Sequence, residues 1–375
     1  MKRNGRLAWL LALLAVLSLL AAACGDSSSG GDDDDSSTET TSAAQGEAGE
    51  EASSAIADAS GEITGSGASF PDAIYQEAIA GLGDVAPDLS VTYNAIGSGS
   101  GKEEFGQNLN DFAGSDSLVE DGDGPEPDSF FYIPSTAASV TAAYNLPDVE
   151  ELQLSGPVLA QIFQRDITTW DDPAIADINP DVELPETDIT VARRSDGSGT
   201  TANFTAYLES AAPDDWTLGS DDTVEWPADT QGGQQNTGVA QIVQDTEGAI
   251  GYVDLGDATV LELQTALIEN QEGNFVAPSV EATTAALDGA ELNDDLTYDP
   301  LNGPGEDAYP ITAPTYILVK QAYDDPAVGE NVVLFVEWLI TEGIATYGPD
   351  LGFAPIPESF VEAATAQLDE VDTGS

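Results

Sequence analysis

Acidic side chains outnumber basic ones by 69 to 8, and histidine is absent, which sets the formal net charge at −61. Any fold of this chain must spread like charges over its surface, and it must work without an imidazole. That excludes Ser-His-Asp and Cys-His machinery, a histidine base and His-ligated zinc or iron. The single cysteine, Cys24, leaves no internal disulfide and no thiolate metal cluster. The charge also repels phosphodiester backbones, which proteins hold with clustered Lys and Arg, so nucleic acid is not an expected partner. Hydrophobic residues still make up 41% of 375 positions, enough for one large domain or two ordinary ones. The acidity therefore belongs to the surface of a folded protein.

The N-terminus accounts for the lone cysteine. Lys2, Arg3 and Arg6 precede an uncharged apolar run from Leu7 to Ala23, and Cys24-Gly25 follow. This is the order of a secretory signal, and the run is at the short limit for a bilayer span. Ala21, Ala22 and Ala23 directly before a unique cysteine resemble a bacterial lipobox, although Ala21 stands where that pattern prefers Leu and Leu20 lies one position early. The resemblance implies a signal peptide over residues 1–23, cleavage before Cys24, and lipidation of its thiol with a palmitate-type acyl chain. Residues 24–60, rich in Ser, Asp, Glu, Gly and Ala with an acidic run from Asp32 to Asp35, are expected to form a flexible acidic tether with no core of their own.

Beyond residue 23 the basic side chains are Lys102, Arg165, Arg193, Arg194 and Lys320, set against all of the acids. Such a surface repels itself in dilute buffer, and the repulsion fades as salt shortens the Debye length to about 3 Å at 1 M. The composition points to an organism living in, or tolerating, high salt.

Short apolar runs alternate with helical patterns along the rest of the chain. Strands are predicted at Leu89–Ala95, Ala138–Tyr144, Ile189–Ala192, Ala249–Val253 and Tyr316–Val319; helices are predicted at Asp72–Leu82 and Asn331–Thr341. This interleaving predicts an α/β fold. Three Gly/Ser segments each lead toward a helix: Gly65 to Pro71, Gly97 to Gly101, and Asp196 to Thr200. Helix N-termini expose unpaired N–H groups, glycine allows close approach, and hydroxyls add neutral donors, so each can cradle an anion. Taken singly, each is more often an ordinary turn and cap. Arg193 and Arg194 immediately before the third segment favour the anion reading, because a guanidinium grips an oxyanion through paired hydrogen bonds.

Two near misses fall away. In Ile96 to Glu103, Ile96 occupies the first glycine of a P-loop and Glu103 replaces its Ser/Thr. No Gly-x-Ser-x-Gly elbow with a partner histidine exists, and no EF-hand spacing is present. No cofactor and no metal site are expected, and no catalytic residue is assigned.

Taken in order, GSGASFPDAIY, YNAIGSGSGKEEF, DFAGSDSL, AAYNLP, LSGPVLAQIFQRDITTWDDPAIADINP, VARRSDGSGTTANF, GVAQIVQDTEGAIGYVDL and YPITAPTYILVK resemble the phosphate-binding proteins of bacterial phosphate ABC transporters, the PstS family, from about Gly61 to Ala364. The resemblance implies a type II periplasmic-binding architecture: two α/β lobes with the ligand cleft between them, lobe one from residues 61–140 and 309–375, lobe two from 141–308. It implies extracytoplasmic, lipid-anchored binding of inorganic phosphate by a monomer and delivery to an ABC permease with its ATPase, not enzymatic chemistry. It also implies the ligands: Ser69, Phe70, Ser98, Asp116, Arg194, Ser198, Gly199 and Thr200, with Asp196 steadying Arg194.

Asp116 carries a physical argument of its own within that set. A carboxylate beside an anion is repulsive unless the anion donates a hydrogen bond, and phosphate near neutral pH retains a proton while sulfate has none. Sulfate would leave a desolvated acceptor unpaired against a like charge. The competing readings are a phosphatase-like hydrolase, a binder of another oxyanion, and a surface protein reusing the scaffold.

Overall fold

The computed structural model describes Gly49 and residues 51–374; the expected signal peptide, Cys24 and most of the tether lie outside the described residues. The strands are β1 (Gly61–Gly67), β2 (Leu89–Ala95), β3 (Phe112–Ser115), β4 (Phe130–Tyr144), β5 (Gln153–Leu154), β6 (Thr190–Arg194), β7 (Gln231–Gly233), β8 (Ala249–Asp254), β9 (Gln264–Thr265), β10 (Leu267–Glu269), β11 (Phe275–Val276), β12 (Thr312–Lys320) and β13 (Phe353–Pro355). One large sheet runs β2-β1-β3-β12-β4-β8-β6-β7, with β9 and β13 also paired to β4; β11-β10-β5 form a small second sheet.

The chain begins this sheet with a β-α-β unit. Strand β1 pairs in parallel with β2 after crossing through the helix Asp72–Val85, whose Ile74, Tyr75, Ala78 and Leu82 are buried. Four apolar residues at helical spacing supply the buried stripe, and a parallel pair requires such a crossover. Strand β3 then adds in parallel on the other edge of β1.

The two-lobe α/β fold is organised by β4. This strand is buried along almost its whole length, and its residues 130–139 pair antiparallel with β12 while residues 140–144 pair antiparallel with β8. Each half of the sheet is therefore hydrogen-bonded to the same strand. The sequence shows only the end of β4, from Ala138, because its earlier part is apolar on both faces, lacks alternation and contains Pro134. A central strand tolerates proline only at an irregularity. The β4–β12 register shifts between Thr315 and Tyr316, so that Thr315 faces Thr136 and Tyr316 faces Pro134, with Ser135 the extra residue.

The structure corrects the predicted tether at its far end. Residues 51–56 are helical, and Ala52 and Ile56 belong to the main core. The Trp338 indole N–H donates to Ser53 Oγ at 3.1 Å, and the Asn331 amide donates to the Ser60 carbonyl at 3.0 Å. The averaged composition is polar, but alanine and isoleucine four apart bury one helical face. Ile56→Ala is accordingly expected to lower the unfolding free energy by about 2–4 kcal/mol. A chain begun at Gly61 should melt below one begun at Gly49; equal melting temperatures would show that this helix adds nothing to the core.

Candidate functional site

The Gly/Ser segments meet at the ends of β1, β2, β3 and β6, where the two halves of the sheet face each other. The second is not a loop ahead of its helix as predicted: Ser98 to Gly101 form the first turns of the helix Ser98–Gly106. Gly97 before it has φ of +92°, and a Cβ there would lie 2.6 Å from the Gly197 carbonyl and 2.8 Å from Asp196 Oδ2. A Cβ on Gly199 would lie 2.7 Å from that of Asp116. Only glycine permits these approaches.

Polar contacts cross the same gap. The Gly99 N–H donates to the Gly197 carbonyl at 3.3 Å, the Asn236 N–H to Ser69 Oγ at 3.3 Å, and the Asn203 amide to the Asp116 carbonyl at 2.6 Å. The Gln235 amide donates to the Ala95 carbonyl.

Arg194 ends β6 and is 3% exposed. Its Nε donates to Asp196 Oδ1 at 2.9 Å, its Nη2 to Asp196 Oδ2 at 2.5 Å, and its Nη1 to Asn236 Oδ1 at 3.0 Å. A guanidinium has five N–H groups in a planar fork, so each terminal nitrogen keeps one for an oxyanion. Successive strand residues point to opposite faces. Arg193 accordingly turns away, donating to Thr230 Oγ1 at 3.3 Å and to the Arg194 carbonyl at 2.9 Å.

Hydroxyls surround this fork. Ser198 caps the helix Gly199–Ala211 by accepting the Thr201 N–H at 3.1 Å, and Thr200 Oγ1 accepts from the Asn236 amide at 3.3 Å. Ser69 accepts from Asn236, as described, so each of these three oxygens retains its own hydrogen for donation. Among the described residues, the N–H groups of Phe70, Gly199 and Thr200 have no acceptor within the protein.

Asp116 sets a second carboxylate, beside Asp196, close to these donors. Its Oδ1 accepts from the Thr315 hydroxyl, while Ser98 Oγ lies 3.5 Å from Oδ2 and accepts the Asp116 N–H at 3.4 Å. The Thr315 contact comes from the β4–β12 irregularity, a device that re-aims side chains. Burial pushes the Asp116 carboxyl up to about 7, opposed by the Thr315 hydroxyl and Arg194 and reinforced by Asp222. The structure thus brings Ser69, Phe70, Ser98, Asp116, Arg194, Ser198, Gly199 and Thr200 together, with Asp196 behind Arg194. Sequence reasoning missed Thr315, Asn236, Asn203 and Tyr252, whose hydroxyl accepts the Arg194 N–H at 3.0 Å. Only the place of Thr315 in the middle of a mostly apolar strand could have flagged it.

The chain has a two-lobe α/β fold whose facing ends gather donors of the kind that hold an oxyanion. The family model described as a PBP superfamily domain matches residues 43–342. The phosphate-binding protein PstS of Haemophilus influenzae is 35% identical over 311 residues, covering 81% of this chain and 92% of that protein. That of Methanocaldococcus jannaschii is 34% identical over 326 residues, covering 79% and 82%. Among solved structures, a high-affinity periplasmic phosphate-binding protein bound with phosphate aligns with a TM-score of 0.65 at 22% identity over 82% of this chain and 93% of that one, and a phosphate-binding protein from Stenotrophomonas maltophilia aligns with 0.63 at 24%, over 82% and 94%. The chain belongs to the PstS family of the PBP superfamily.

Asp116 also makes stability depend on pH. Its folded value near 7 lies above the ordinary 3.8, so the folded state holds the proton more tightly. Stability from this group is present below about pH 4, is lost as pH rises to about 7, and stays lost above. Asp116→Asn cannot ionise and should exceed the ligand-free wild type in stability at pH 8 by about 4 kcal/mol, with no gain at pH 4. A pH-independent difference in thermal unfolding would refute this.

Proposed function

We propose that this chain binds inorganic phosphate outside the cytoplasm and hands it to an ABC permease driven by its ATPase. The observation that carries the reading is one buried acceptor, Asp116, among donors only: the Arg194 fork, the hydroxyls of Ser69, Ser98, Ser198 and Thr200, and the N–H groups of Phe70, Gly199 and Thr200. An oxyanion that fits this set must carry a proton for Asp116, and phosphate does near neutral pH. The ligand is held and released unchanged. The PstS names of the relatives support this reading.

Lobe one is residues 61–140 with 309–375, and lobe two is 141–308. Ligand capture closes them by rotation about the two crossings. The pairing of β4 with β12 on one side and β8 on the other supports this division. Cys24 carries the lipid that tethers the monomer to the outer face of the membrane, and the acidic surface suits strong salt.

Calorimetric titration of phosphate and then sulfate into the protein in strong salt is the direct test. Tight one-to-one phosphate binding without sulfate heat is expected, and silence for phosphate in a folded sample would overturn the function. Arg194→Ala should weaken phosphate binding by about a hundredfold or more, and Arg193→Ala by less than about threefold. Asp116→Asn should narrow the preference over sulfate, since an amide can donate to it; an unchanged ratio would remove Asp116 from discrimination.

A further inference from the structure

Lys102 belongs to the same helix as Ser98, yet nothing in the cradle uses it. Its side chain is 1% exposed, and Nζ lies 2.9 Å from Asp222 Oδ2 and 2.5 Å from Asp123 Oδ2. Nζ also donates to the Leu118 carbonyl at 3.1 Å and lies 3.3 Å from Ser117 Oγ. Leu118 and Ser117 take its hydrogen bonds, while Asp222 and Asp123 face it as ion pairs. Burial alone would lower its proton affinity, but Asp222 and Asp123 outweigh that and raise it, so it stays charged.

The two carboxylates stand on different sides of the cleft. Asp123 follows β3, on the half of the sheet that carries Lys102, and is 42% exposed at its side chain. Asp222 follows the helix Gly199–Ala211 in the other half, its side chain 10% exposed. The Asp222 carbonyl accepts the N–H of Ser198 at 3.0 Å, so its position is tied to the turn that supplies Ser198, Gly199 and Thr200. Lys102 and Asp222 also line one cavity of about 310 Å³, with Asp116 and Asn203 on its wall.

We propose that Lys102 is a positioning residue for anion binding: its buried ion pair with Asp222 latches the Ser98 helix to the Ser198 turn when the halves of the cradle meet. Bringing these halves together brings Asp222 toward Asp116 in a protein already crowded with negative charge. Lys102 cancels that repulsion where water is excluded and salt screens poorly. Removing Asp222 takes away the ion pair that spans the cleft, while Asp123 still compensates Lys102 on its own side. The latch deepens the proposed binding function and rests on it.

Asp222→Asn tests the latch with least risk to folding, because Lys102 keeps Asp123, Ser117 and Leu118, and asparagine matches aspartate in size. The variant is expected to bind phosphate about tenfold more weakly, chiefly through faster dissociation, with an unchanged melting temperature for the ligand-free protein. Asp229→Asn, which removes the same charge from an exposed pair with Arg165, should leave phosphate binding as in the wild type. Lys102→Arg should bind more tightly than Lys102→Met. A purely structural role would instead lower the ligand-free melting temperature of Asp222→Asn and spare its dissociation rate, overturning the proposal. If the wild type binds no phosphate, the binding function fails by itself. The latch is then decided by small-angle scattering: a larger radius of gyration for Asp222→Asn supports it, and identical profiles overturn it.

Discussion

The structure depends on one arginine that its own chain holds in place. Asp196, two residues on, engages Arg194 through Nε and Nη2, and Asn236 takes a further N–H from the opposite nitrogen. A long, buried, charged side chain would otherwise be costly to order and to desolvate. Held this way, the guanidinium keeps a fixed plane. The Tyr252 hydroxyl accepts the Arg194 backbone N–H and contacts Thr201 Oγ1 at 2.8 Å, which ties the strand that ends in Arg194 to the helix that begins with Gly199 and Thr200. Fork and turn therefore move as one body.

The remaining donors are mostly uncharged, and this reconciles the proposed anion site with a strongly acidic protein. Long-range repulsion from surface carboxylates acts through solvent, where salt screens it. Hydrogen bonds inside a closed, dry pocket act over a few ångströms and are not screened. In the proposed site, selectivity falls to the one group that cannot donate when ionised, Asp116, whose Oδ1 the Thr315 hydroxyl engages.

Much of this was legible in the sequence where the signal is local. Leu89–Ala95 forms a strand over the very residues its pattern marks, and the predicted helix at Asp72 extends three residues beyond Leu82. The Gly/Ser segments were visible because close backbone approach demands glycine whatever the partner. Thr315 and Asn236 were not, since a hydroxyl or amide acquires its role from neighbours distant in sequence: Thr315 lies 199 positions from Asp116. Residues 51–56 were hidden for the opposite reason, an averaged composition that concealed Ala52 and Ile56 on one face. Strand β4 was read only in part because a strand covered on both faces loses its alternation.

The shared strand has a mechanical consequence. The chain passes between the halves of the sheet in β4 and returns just before β12, and the two passages are hydrogen-bonded to each other, the Val140 N–H to the Ile311 carbonyl at 2.8 Å. Two crossings fastened side by side behave as a torsion bar rather than as a pair of loose straps. They resist sliding and splaying, which would break ladder bonds, and yield most readily to twist about their common direction. For the closure proposed above, this leaves twist as the easiest relative movement of the halves, so residues facing each other across the gap return to the same register each time they meet.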